Sequence, residues 1–587
     1  MMKIHRAPTE VELPPAGNYG ADGEELISHT DRSLGDLLVM HGLVTVGQVE
    51  EAIALQASSG KRLGELLVDM GSLEVRGLAE VLGERLHMPV SDLRSENPEP
   101  EALELIPEAI AREHSVLPLD VQDGCLRIAV AEPSEELRRL LVDTSGHEVL
   151  MTLAPLSHVR QRIDASYRAL GGVAQLVRAF EAVEGTRRRD LPFAEPEVVA
   201  NNAPVVQVVN RILTQALRDR ASDIHIEPRD ETVRVRYRVD GALQDVLLLP
   251  AEMGLSLISR IKIMAGMNIV ERRRPQDGQL TTELDGASVD VRVATIATIW
   301  GEKCVMRILD TKRSVLHLRD LGMPGDTHDA YSELVRAPFG MVLCAGPTGS
   351  GKTTTLYATL SEINDPTRNI MTIEDPVEYV FPEINQIQTN EQAGLTFATG
   401  LKSILRQDPD VILVGEIRDI ETARIAIQSA LTGHFVLSSL HATDSISALH
   451  RFLDMGVESF LIASSILGIV GQRLLRKICP ACKTTYTPSE QELAYYEESA
   501  GPAKESFFHG AGCNFCSGTG YQGRIGVYEL LTITPEIRRL VVGWASQDEL
   551  RQLAQRQGMR TMRQEATNLI AADVTTIAEV IRSIHTL

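Results

Sequence analysis

The stretch GPTGSGKTTT, residues 346–355, constrains this chain more than any other feature of its sequence. It matches the pattern G-x-x-x-x-G-K-[ST], in which a glycine-rich loop wraps the phosphates of a nucleotide. The apolar run MVLCA precedes the loop and KTTTLYATLSEI follows it, which predicts a strand, a loop and a helix in that order. Backbone N–H groups and the helix dipole favour phosphate at such a helix N-terminus. The chain is therefore predicted to bind ATP, and the work that ATP supports has to be found elsewhere in the sequence.

The loop pattern also assigns individual contacts. Lys352 is predicted to reach the β- and γ-phosphates, and the Thr353 hydroxyl is predicted to bind Mg²⁺. The other predicted nucleotide contacts are Gly346, Pro347, Thr348, Gly349, Ser350, Gly351 and Thr354.

Two acidic strand ends follow the loop. NIMTIEDPVEYV carries Glu374 and Glu378, and PDVILVGEIRD is an apolar strand that ends at Glu416. Because parallel strands bring their carboxyl ends to one crevice, Glu374 and Glu416 are predicted to converge on the γ-phosphate, where hydrolysis needs acidic groups. For Glu378, a surface charge and a functional acid are both open. In TGHFVLSSLHATD, His441 at the strand end is better placed than His434 to contact phosphate.

Two C-x-x-C pairs predict a metal site. Their spacing is C-x₂-C-x₃₀-C-x₂-C, and the four residues are Cys479, Cys482, Cys513 and Cys516. Four thiolates in two close pairs suit tetrahedral Zn²⁺ and leave no open position for catalysis. A redox pair is the alternative, but it does not explain two motifs. We therefore predict a structural zinc site.

Length and charge limit the class of protein. A chain of 587 residues is too long for one core, so three or four domains are expected. The formal net charge of -22 argues against broad nucleic-acid binding, which needs a basic surface. The N-terminus lacks a signal-peptide pattern, and the longest apolar stretch, residues 460–471, is too short to span a bilayer. We expect a cytoplasmic protein that reaches the membrane through partners.

Changes in composition and periodicity divide the chain into segments. The predicted segments are a disordered tail at 1–28, a helical repeat at 29–95, a small α+β lobe at 96–170, a linker at 171–198, an α+β domain at 199–315 and a doubly wound α/β domain at 316–587 with a zinc module at 475–525. The predicted fold class is therefore multidomain α/β.

The segments GPTGSGKTTT, TIEDPVEY, LRQDPDVILVGEIRD and TGHFVLSSLHATD, in this order and spacing, resemble the secretion ATPase superfamily. Its members power type II secretion and type IV pilus assembly. The resemblance covers roughly residues 28–587 and implies a RecA-like P-loop ATPase core with a tetracysteine zinc insert. It also implies a PAS-like α+β domain before that core and a helical plus α+β module at the N-terminus.

The resemblance further implies roles for individual residues. Glu374 would activate water, and Glu416 would be the Walker B glutamate near Mg²⁺. By position, Arg292 and Arg307 of the preceding domain would neutralise the γ-phosphate. Arg406 matches another family arginine, whereas Lys402 stands where the family commonly has arginine.

The N-terminal repeat resembles a paired motif, R-L-G-x-x-L with a closing Gln, found in these ATPases. Its copies are SLGDLLVMHGLVTVGQVEEAIALQ and RLGELLVDMGSLEVRGLAEVLGER. In some members the pair binds cyclic di-GMP, and in others the domain docks onto an inner-membrane partner. Ser33 replaces the first Arg and Arg85 replaces the second Gln, while Gln56 and Arg62 match the motif. These departures favour partner docking.

The combined prediction is a homo-hexameric, ATP-hydrolysing motor for pseudopilus assembly and protein export by type II secretion. A type IV pilus assembly ATPase is the nearest alternative. A nucleic-acid translocase on a RecA-like core is a second, against which the acidic charge counts. A nucleotide-gated scaffold is a third, and the set of Lys352, Glu374 and Glu416 favours turnover instead.

Overall fold

A computed structural model describes residues 34–59, 61–167, 170, 173–190, 204–284, 287–309, 317–499 and 501–584. The chain divides into two compact units, Met1–Ser166 and Tyr167–Leu587. The predicted tail, Ser33 and parts of the predicted linker lie outside the described residues.

The first unit begins with two similar helical pairs. Their helices are α1 (Leu34–Met40), α2 (Val46–Ser59), α3 (Leu63–Asp69) and α4 (Val75–Leu86). The turns between paired helices contain Gly42 and Gly71, both at positive φ, a conformation that glycine adopts without steric cost. Leu38 and Leu67 occupy equivalent positions of the two copies and are fully buried in a shared core. The repeat therefore builds its own small core.

A small α+β lobe completes this unit. Its elements are α5 (Pro100–Leu105), α6 (Glu108–His114), β1 (Val116–Gln122), β2 (Cys125–Val130), α7 (Glu135–Ser145), β3 (Glu148–Leu153) and α8 (Leu156–Ser166). β1 and β2 form the predicted antiparallel pair, and β3 adds a parallel strand beside β2. The sequence prediction missed α7 and β3, because β3 is six residues long and pairs through a crossover rather than a tight turn.

The second unit starts with a six-stranded antiparallel sheet. Its elements are α9 (Val173–Asp190), α10 (Pro204–Arg218), β4 (Asp223–Pro228), β5 (Thr232–Val239), β6 (Ala242–Pro250), α11 (Met253–Met264), β7 (Gln276–Leu284), β8 (Ala287–Thr298) and β9 (Gly301–Leu309). The strand order is β6-β5-β4-β9-β8-β7. Val291 and Val293 of β8 and Met306 of β9 are buried against the helices. Since side chains alternate along a strand, Arg292 and Arg307 face the other side of the sheet.

A seven-stranded sheet forms the rest of this unit. Its elements are α12 (Gly325–Val335), β10 (Gly340–Ala345), α13 (Lys352–Ile363), β11 (Ile370–Glu374), β12 (Asn385–Gln388), α14 (Phe397–Ile404), β13 (Val411–Val414), α15 (Ile420–Leu431), β14 (Phe435–Leu440), α16 (Ser445–Asp454), α17 (Ser459–Ser465), β15 (Ile466–Ile478), β16 (Lys483–Tyr486), α18 (Glu490–Glu498), β17 (Phe507–Gly510), β18 (Tyr521–Thr532), α19 (Pro535–Val542), α20 (Gln547–Arg556), α21 (Met562–Ala571) and α22 (Ile577–Ser583). β16 and β17 form a separate antiparallel pair.

The order of the large sheet is β12-β11-β13-β14-β10-β15-β18, and every pair is parallel except β15 with β18. Every residue of β10, β13 and β14 is buried, as expected for strands covered by helices on both faces. The predicted doubly wound parallel core is therefore confirmed. Within the described part of the chain, every helix is too short or too polar to cross a membrane.

Candidate active site and metal centre

The phosphate loop joins β10 to α13 and depends on its glycines. Gly349 and Gly351 have φ of 76° and 89°, where an L side chain would be strained. A Cβ added to Gly346 would lie 2.4 Å from Ser350 Oγ and 2.6 Å from the backbone oxygen of Gln472. Ser350 Oγ is buried and has no hydrogen-bond partner among the described residues. The loop thus packs closely against Gln472 of β15, and Ser350 Oγ can still accept or donate a hydrogen bond. Both features fit the phosphate contacts predicted from the sequence.

Lys352 is satisfied within the loop itself. Its Nζ donates to the backbone oxygens of Gly346, at 2.8 Å, and Pro347, at 3.0 Å. Burial lowers the pKa of Lys352, an effect that the nearby Glu416 carboxylate partly offsets. A bound phosphate would favour the charged ammonium and would replace the two carbonyl partners. Thr353 follows at the first turn of α13, where a hydroxyl can bind Mg²⁺.

The predicted acids and His441 lie along one edge of the sheet. The neighbouring strands β11, β13, β14 and β10 are all parallel, so their carboxyl ends bring Glu374, Glu416, His441 and the phosphate loop to the same side in that order. His434 directly precedes β14 and so lies at the opposite edge, with its Nδ1 3.0 Å from the Ser429 backbone oxygen.

Glu416 is held from both sides. Its Oε1 lies 3.1 Å from His441 Nε2, and its Oε2 accepts a 3.0 Å hydrogen bond from Arg418 Nε. Arg418 also reaches Asp375 Oδ2, at 3.5 Å. The structure thus brings Glu416 and His441 together. The sequence reasoning missed Arg418, although it lies only two residues after Glu416.

Glu374 ends β11 and is only 3 % exposed. The Tyr357 hydroxyl donates to its Oε2, and Thr372 Oγ1 donates to Oε1 at 2.6 Å. Gln386 Nε2 also donates to Oε1, at 3.3 Å. Both carboxylate oxygens therefore have internal partners, as a buried charge requires. No sequence pattern pointed to these three donors, which come from a helix and two strands.

Glu378 interacts electrostatically with the two predicted arginines. The Glu378 side chain is exposed but loses part of its hydration to neighbouring groups. This partial dehydration and the Glu374 carboxylate raise the pKa of Glu378, whereas Arg292 and Arg307 lower it. Burial lowers the pKa of Arg292, which Glu378 and Asp375 partly offset.

Arg292 and Arg307 are direct neighbours on adjacent strands of the six-stranded sheet. Arg292 of β8 is paired in register with Arg307 of β9, and Arg307 is paired with Asp223 of β4. Like charges directly opposite each other are unfavourable. The Asp223 carboxylate relieves this repulsion, because Arg307 Nε donates to Asp223 Oδ1 at 3.1 Å.

Lys402 and Arg406 lie at the end of α14 and use surface partners. Lys402 Nζ donates to Glu421 Oε1 at 2.6 Å. Arg406 Nη1 donates to the backbone oxygen of Lys402 at 2.9 Å. These contacts assign neither side chain to the nucleotide.

The four predicted metal ligands form one cluster. Their Sγ atoms all lie within 4.8 Å of one another. The Cys479–Cys513, Cys482–Cys516 and Cys513–Cys516 sulfur distances are 3.9, 3.8 and 3.8 Å. A tetrahedron of Zn–S bonds of about 2.3 Å requires sulfur atoms roughly 3.8 Å apart. The backbone N–H groups of Cys513 and Gly520 each donate to Cys516 Sγ at 3.2 Å. The donor set therefore fits a structural Zn²⁺.

The polar positions of the N-terminal motif pair lie at the surface. Gln56, Arg62 and Arg85 are exposed. Arg62 Nη1 lies 2.7 Å from Glu132 Oε1, so this anchor is tied to the loop after β2 of the same unit. Ser33 lies outside the described residues.

Comparison with known proteins finds relatives among the secretion and pilus ATPases. The sequence model of the family described as Type II/IV secretion system protein matches residues 198–582, and that of the MshEN domain matches residues 86–173, which begin at the end of α4 and cover the small lobe. Among curated proteins, the type IV pilus assembly ATPase PilB of Myxococcus xanthus is 39 % identical over 561 residues, which cover 93 % of this chain and 98 % of that protein. The type II secretion system protein E of Pseudomonas aeruginosa is 46 % identical over 448 residues, covering 76 % of this chain and 87 % of that protein. Among solved structures, the ATPase DotB of Legionella pneumophila shares the fold, with a TM-score of 0.50 and 22 % identity over 66 % of this chain and 96 % of that chain.

Proposed function

The chain belongs to the Type II/IV secretion system protein family and is a secretion or pilus ATPase, and from this premise we propose that it is the motor that drives pseudopilus assembly and protein export in a type II secretion system. One observation supports the motor: Arg292 and Arg307 of the six-stranded sheet interact electrostatically with Glu378, which follows β11 of the seven-stranded sheet. A site completed by two domains opens and closes as those domains move. Turnover and domain motion are thereby coupled.

We propose the following division of roles in hydrolysis. Lys352 holds the β- and γ-phosphates, and Glu416 and Thr353 would hold Mg²⁺, which would neutralise charge on the phosphates. The Glu374–Glu378 pair activates the attacking water: Glu378 faces the cleft and accepts the proton, and Glu374 stands behind it and increases its basicity. Arg292 and Arg307 neutralise the charge that develops on the γ-phosphate, and His441 orients Glu416.

Substitutions at these residues test the proposal. Glu378→Gln and Glu374→Gln should retain ATP binding and lose most turnover, and Lys352→Ala should lose binding as well. The matched control is Glu391→Gln, because Glu391 is an exposed acid in the turn after β12. ATPase rates and nucleotide affinity measured together separate these cases. Wild-type turnover in both acid variants would exclude the proposed water activation.

The identity of the system needs a test in cells. The higher identity to a type II secretion protein E supports type II secretion. A type IV pilus assembly ATPase is the second candidate, and it is favoured by the PilB match over 93 % of the chain. A deletion strain complemented with either the wild-type gene or Lys352→Ala distinguishes them. If the Lys352→Ala strain loses exported proteins from the medium but keeps surface filaments, secretion is supported. If it loses the filaments but keeps export, the pilus is supported. ATPase activity stimulated by DNA would instead support a translocase.

We further propose a homo-hexamer on the cytoplasmic face of the inner membrane, docked through the first unit onto a membrane platform protein. The MshEN match at residues 86–173 supports a regulatory or docking role for that unit. Cyclic di-GMP is the ligand to test there. Calorimetric titration with cyclic di-GMP, with Arg62→Ala as the comparison, tests binding, and mass measurement in solution with and without ATP tests the hexamer.

A further inference from the structure

Tyr357 links the phosphate loop to the acids of the nucleotide edge. It lies on α13, five positions after Lys352, and is only 4 % exposed. Its ring packs edge-on against Tyr379 and Phe381, with ring centroids 5.8 and 5.3 Å away. Tyr379 follows Glu378 directly in the chain, and Phe381 lies three positions after it. The ring therefore fixes the segment that carries Glu378 against the helix that begins at the phosphate loop.

The hydroxyl of Tyr357 contacts both acids. It donates to Glu374 Oε2 and accepts a 3.2 Å hydrogen bond from the backbone N–H of Glu378. A phenol has one hydrogen to donate and lone pairs to accept, so both contacts form at once and their directions are fixed. Burial and the Glu374 carboxylate raise the pKa of Tyr357, so the phenol stays protonated and remains a donor at neutral pH.

Removal of this hydroxyl would change the acids without changing the packing. A phenylalanine keeps the ring against Tyr379 and Phe381. It leaves Glu374 with Thr372 and Gln386 as donors, and it takes the acceptor away from the Glu378 backbone N–H. The Glu378 side chain would then lose the fixed backbone from which it reaches the cleft.

We propose that Tyr357 is a positioning residue, whose hydroxyl holds the Glu374–Glu378 pair in register with the phosphate loop. Because the helix connects Lys352 rigidly to Tyr357, a shift of the loop on nucleotide binding is passed to both acids. The role rests on the proposed function, in which these acids activate water. A misplaced proton acceptor slows the chemical step and leaves ground-state nucleotide binding intact.

Tyr357→Phe tests this role, with Tyr331→Phe as the matched control. Tyr331 is also fully buried, and its hydroxyl bonds Thr359 Oγ1 on the same helix α13 at 2.9 Å, but it contacts neither acid. Steady-state kinetics, affinity for the fluorescent analogue mant-ATP and thermal unfolding are measured on the full-length chain. We expect Tyr357→Phe to lower kcat about tenfold or more with mant-ATP affinity within about twofold of wild type, and Tyr331→Phe to keep kcat within about twofold.

Three results would overturn the role: unchanged kcat in Tyr357→Phe, loss of kcat and mant-ATP affinity in parallel, or an equal loss of kcat in Tyr331→Phe. If Tyr357→Phe does not fold, a fluorotyrosine at position 357 keeps the ring and hydroxyl and changes only the acidity of the phenol. A change in kcat of about twofold or more with unchanged mant-ATP affinity then supports the role, and unchanged kcat contradicts it.

Glu378→Gln and Glu374→Gln are measured in the same series. If both keep wild-type turnover, the proposed function fails. If both lose turnover while Tyr357→Phe keeps it, only the positioning role fails.

Discussion

We expect Glu378 and Arg292 to determine how turnover depends on pH. Glu378 can accept a proton only when ionised, so turnover should fall as the pH drops through its pKa. Dehydration and Glu374 raise that pKa, whereas Arg292 lowers it. Arg292→Gln removes the opposing charge, so the acid limb of the pH–rate profile should move to higher pH. The control is Arg556→Gln, an exposed arginine at the end of α20. An unmoved limb in Arg292→Gln would show that Glu378 does not govern it.

If Glu416 binds Mg²⁺ as proposed, Arg418 should compete with the ion for the carboxylate. The Arg418 side chain is 58 % exposed, and ion pairs of this kind contribute about 0.2–1 kcal/mol. Because 1.4 kcal/mol corresponds to a factor of ten, Arg418→Gln should lower the Mg²⁺ concentration for half-maximal turnover by about 1.4- to fivefold. Arg424→Gln breaks a similar exposed pair with Glu458 and should leave the Mg²⁺ requirement unchanged. A higher Mg²⁺ requirement in Arg418→Gln would mean that Arg418 supports metal binding.

Residues inside a fixed loop can be predicted better than residues gathered from several elements. The positions Gly346, Gly351, Lys352 and Thr353 follow from the pattern alone, because it requires a particular residue type at each of them. Which acid faces the cleft does not follow from local sequence. Glu374 is turned inward by a donor 17 positions upstream, Tyr357, and only the packing of helix against strand brings the two together.

The predicted zinc module depends on all four of its cysteines. Cys482→Ser should reduce bound zinc from about one ion per chain to nearly none, because a structural site needs all four thiolates. We expect the large sheet to remain folded, since none of the four cysteines belongs to its two main core clusters, while the thermal midpoint falls by several degrees. Metal content by mass spectrometry and thermal unfolding measure these effects. Cys125→Ser, on β2 of the first unit, is the control and should keep the zinc.

Short apolar runs bounded by turn signals were predictable as strands, and the longer run at 460–471 was not. The strands β10, β13 and β14 are short apolar runs buried on both faces, which the sequence shows directly. Residues 460–471 form one apolar stretch in the sequence, but the structure divides it between α17 and β15. Periodicity cannot separate a buried helix from a buried strand in so short a run. Pairing with β10 and β18 decides the outcome.

At the scale of the whole molecule, order along the chain predicts topology but not the contacts between domains. Alternating strands and helices after residue 316 predict a doubly wound sheet, because parallel strands need crossover connections. The six-stranded sheet that precedes it could be recognised as α+β from its hairpin pattern. It meets the larger domain through residues far apart in the sequence, such as Asp240 in a turn and Gly523 in β18, and no local pattern predicts which of them pair.

Asp240 makes one such contact and permits a graded test of domain coupling. It lies in the turn between β5 and β6, and its Oδ2 accepts a 2.9 Å hydrogen bond from the backbone N–H of Gly523 in β18. Its Oδ1 lies 3.4 Å from Arg524 Nε. This contact holds the domain that carries Arg292 and Arg307 against the domain that carries the phosphate loop. Asp240→Ala removes both interactions, whereas Asp240→Asn keeps an acceptor for Gly523 and removes only the charge.

We therefore expect kcat to fall in the order wild type, Asp240→Asn, Asp240→Ala, by about tenfold at the end of the series, with nucleotide affinity retained. The thermal midpoint should fall by only a few degrees, because a half-buried ion pair with a 3.4 Å separation and one hydrogen bond each contribute about 1 kcal/mol. Asp230→Ala, in the turn between β4 and β5 of the same sheet, serves as the control. Equal kcat in all four proteins would show that the arginines reach the nucleotide edge without this contact, and the coupling of turnover to domain motion would then have to depend on other contacts between the two domains.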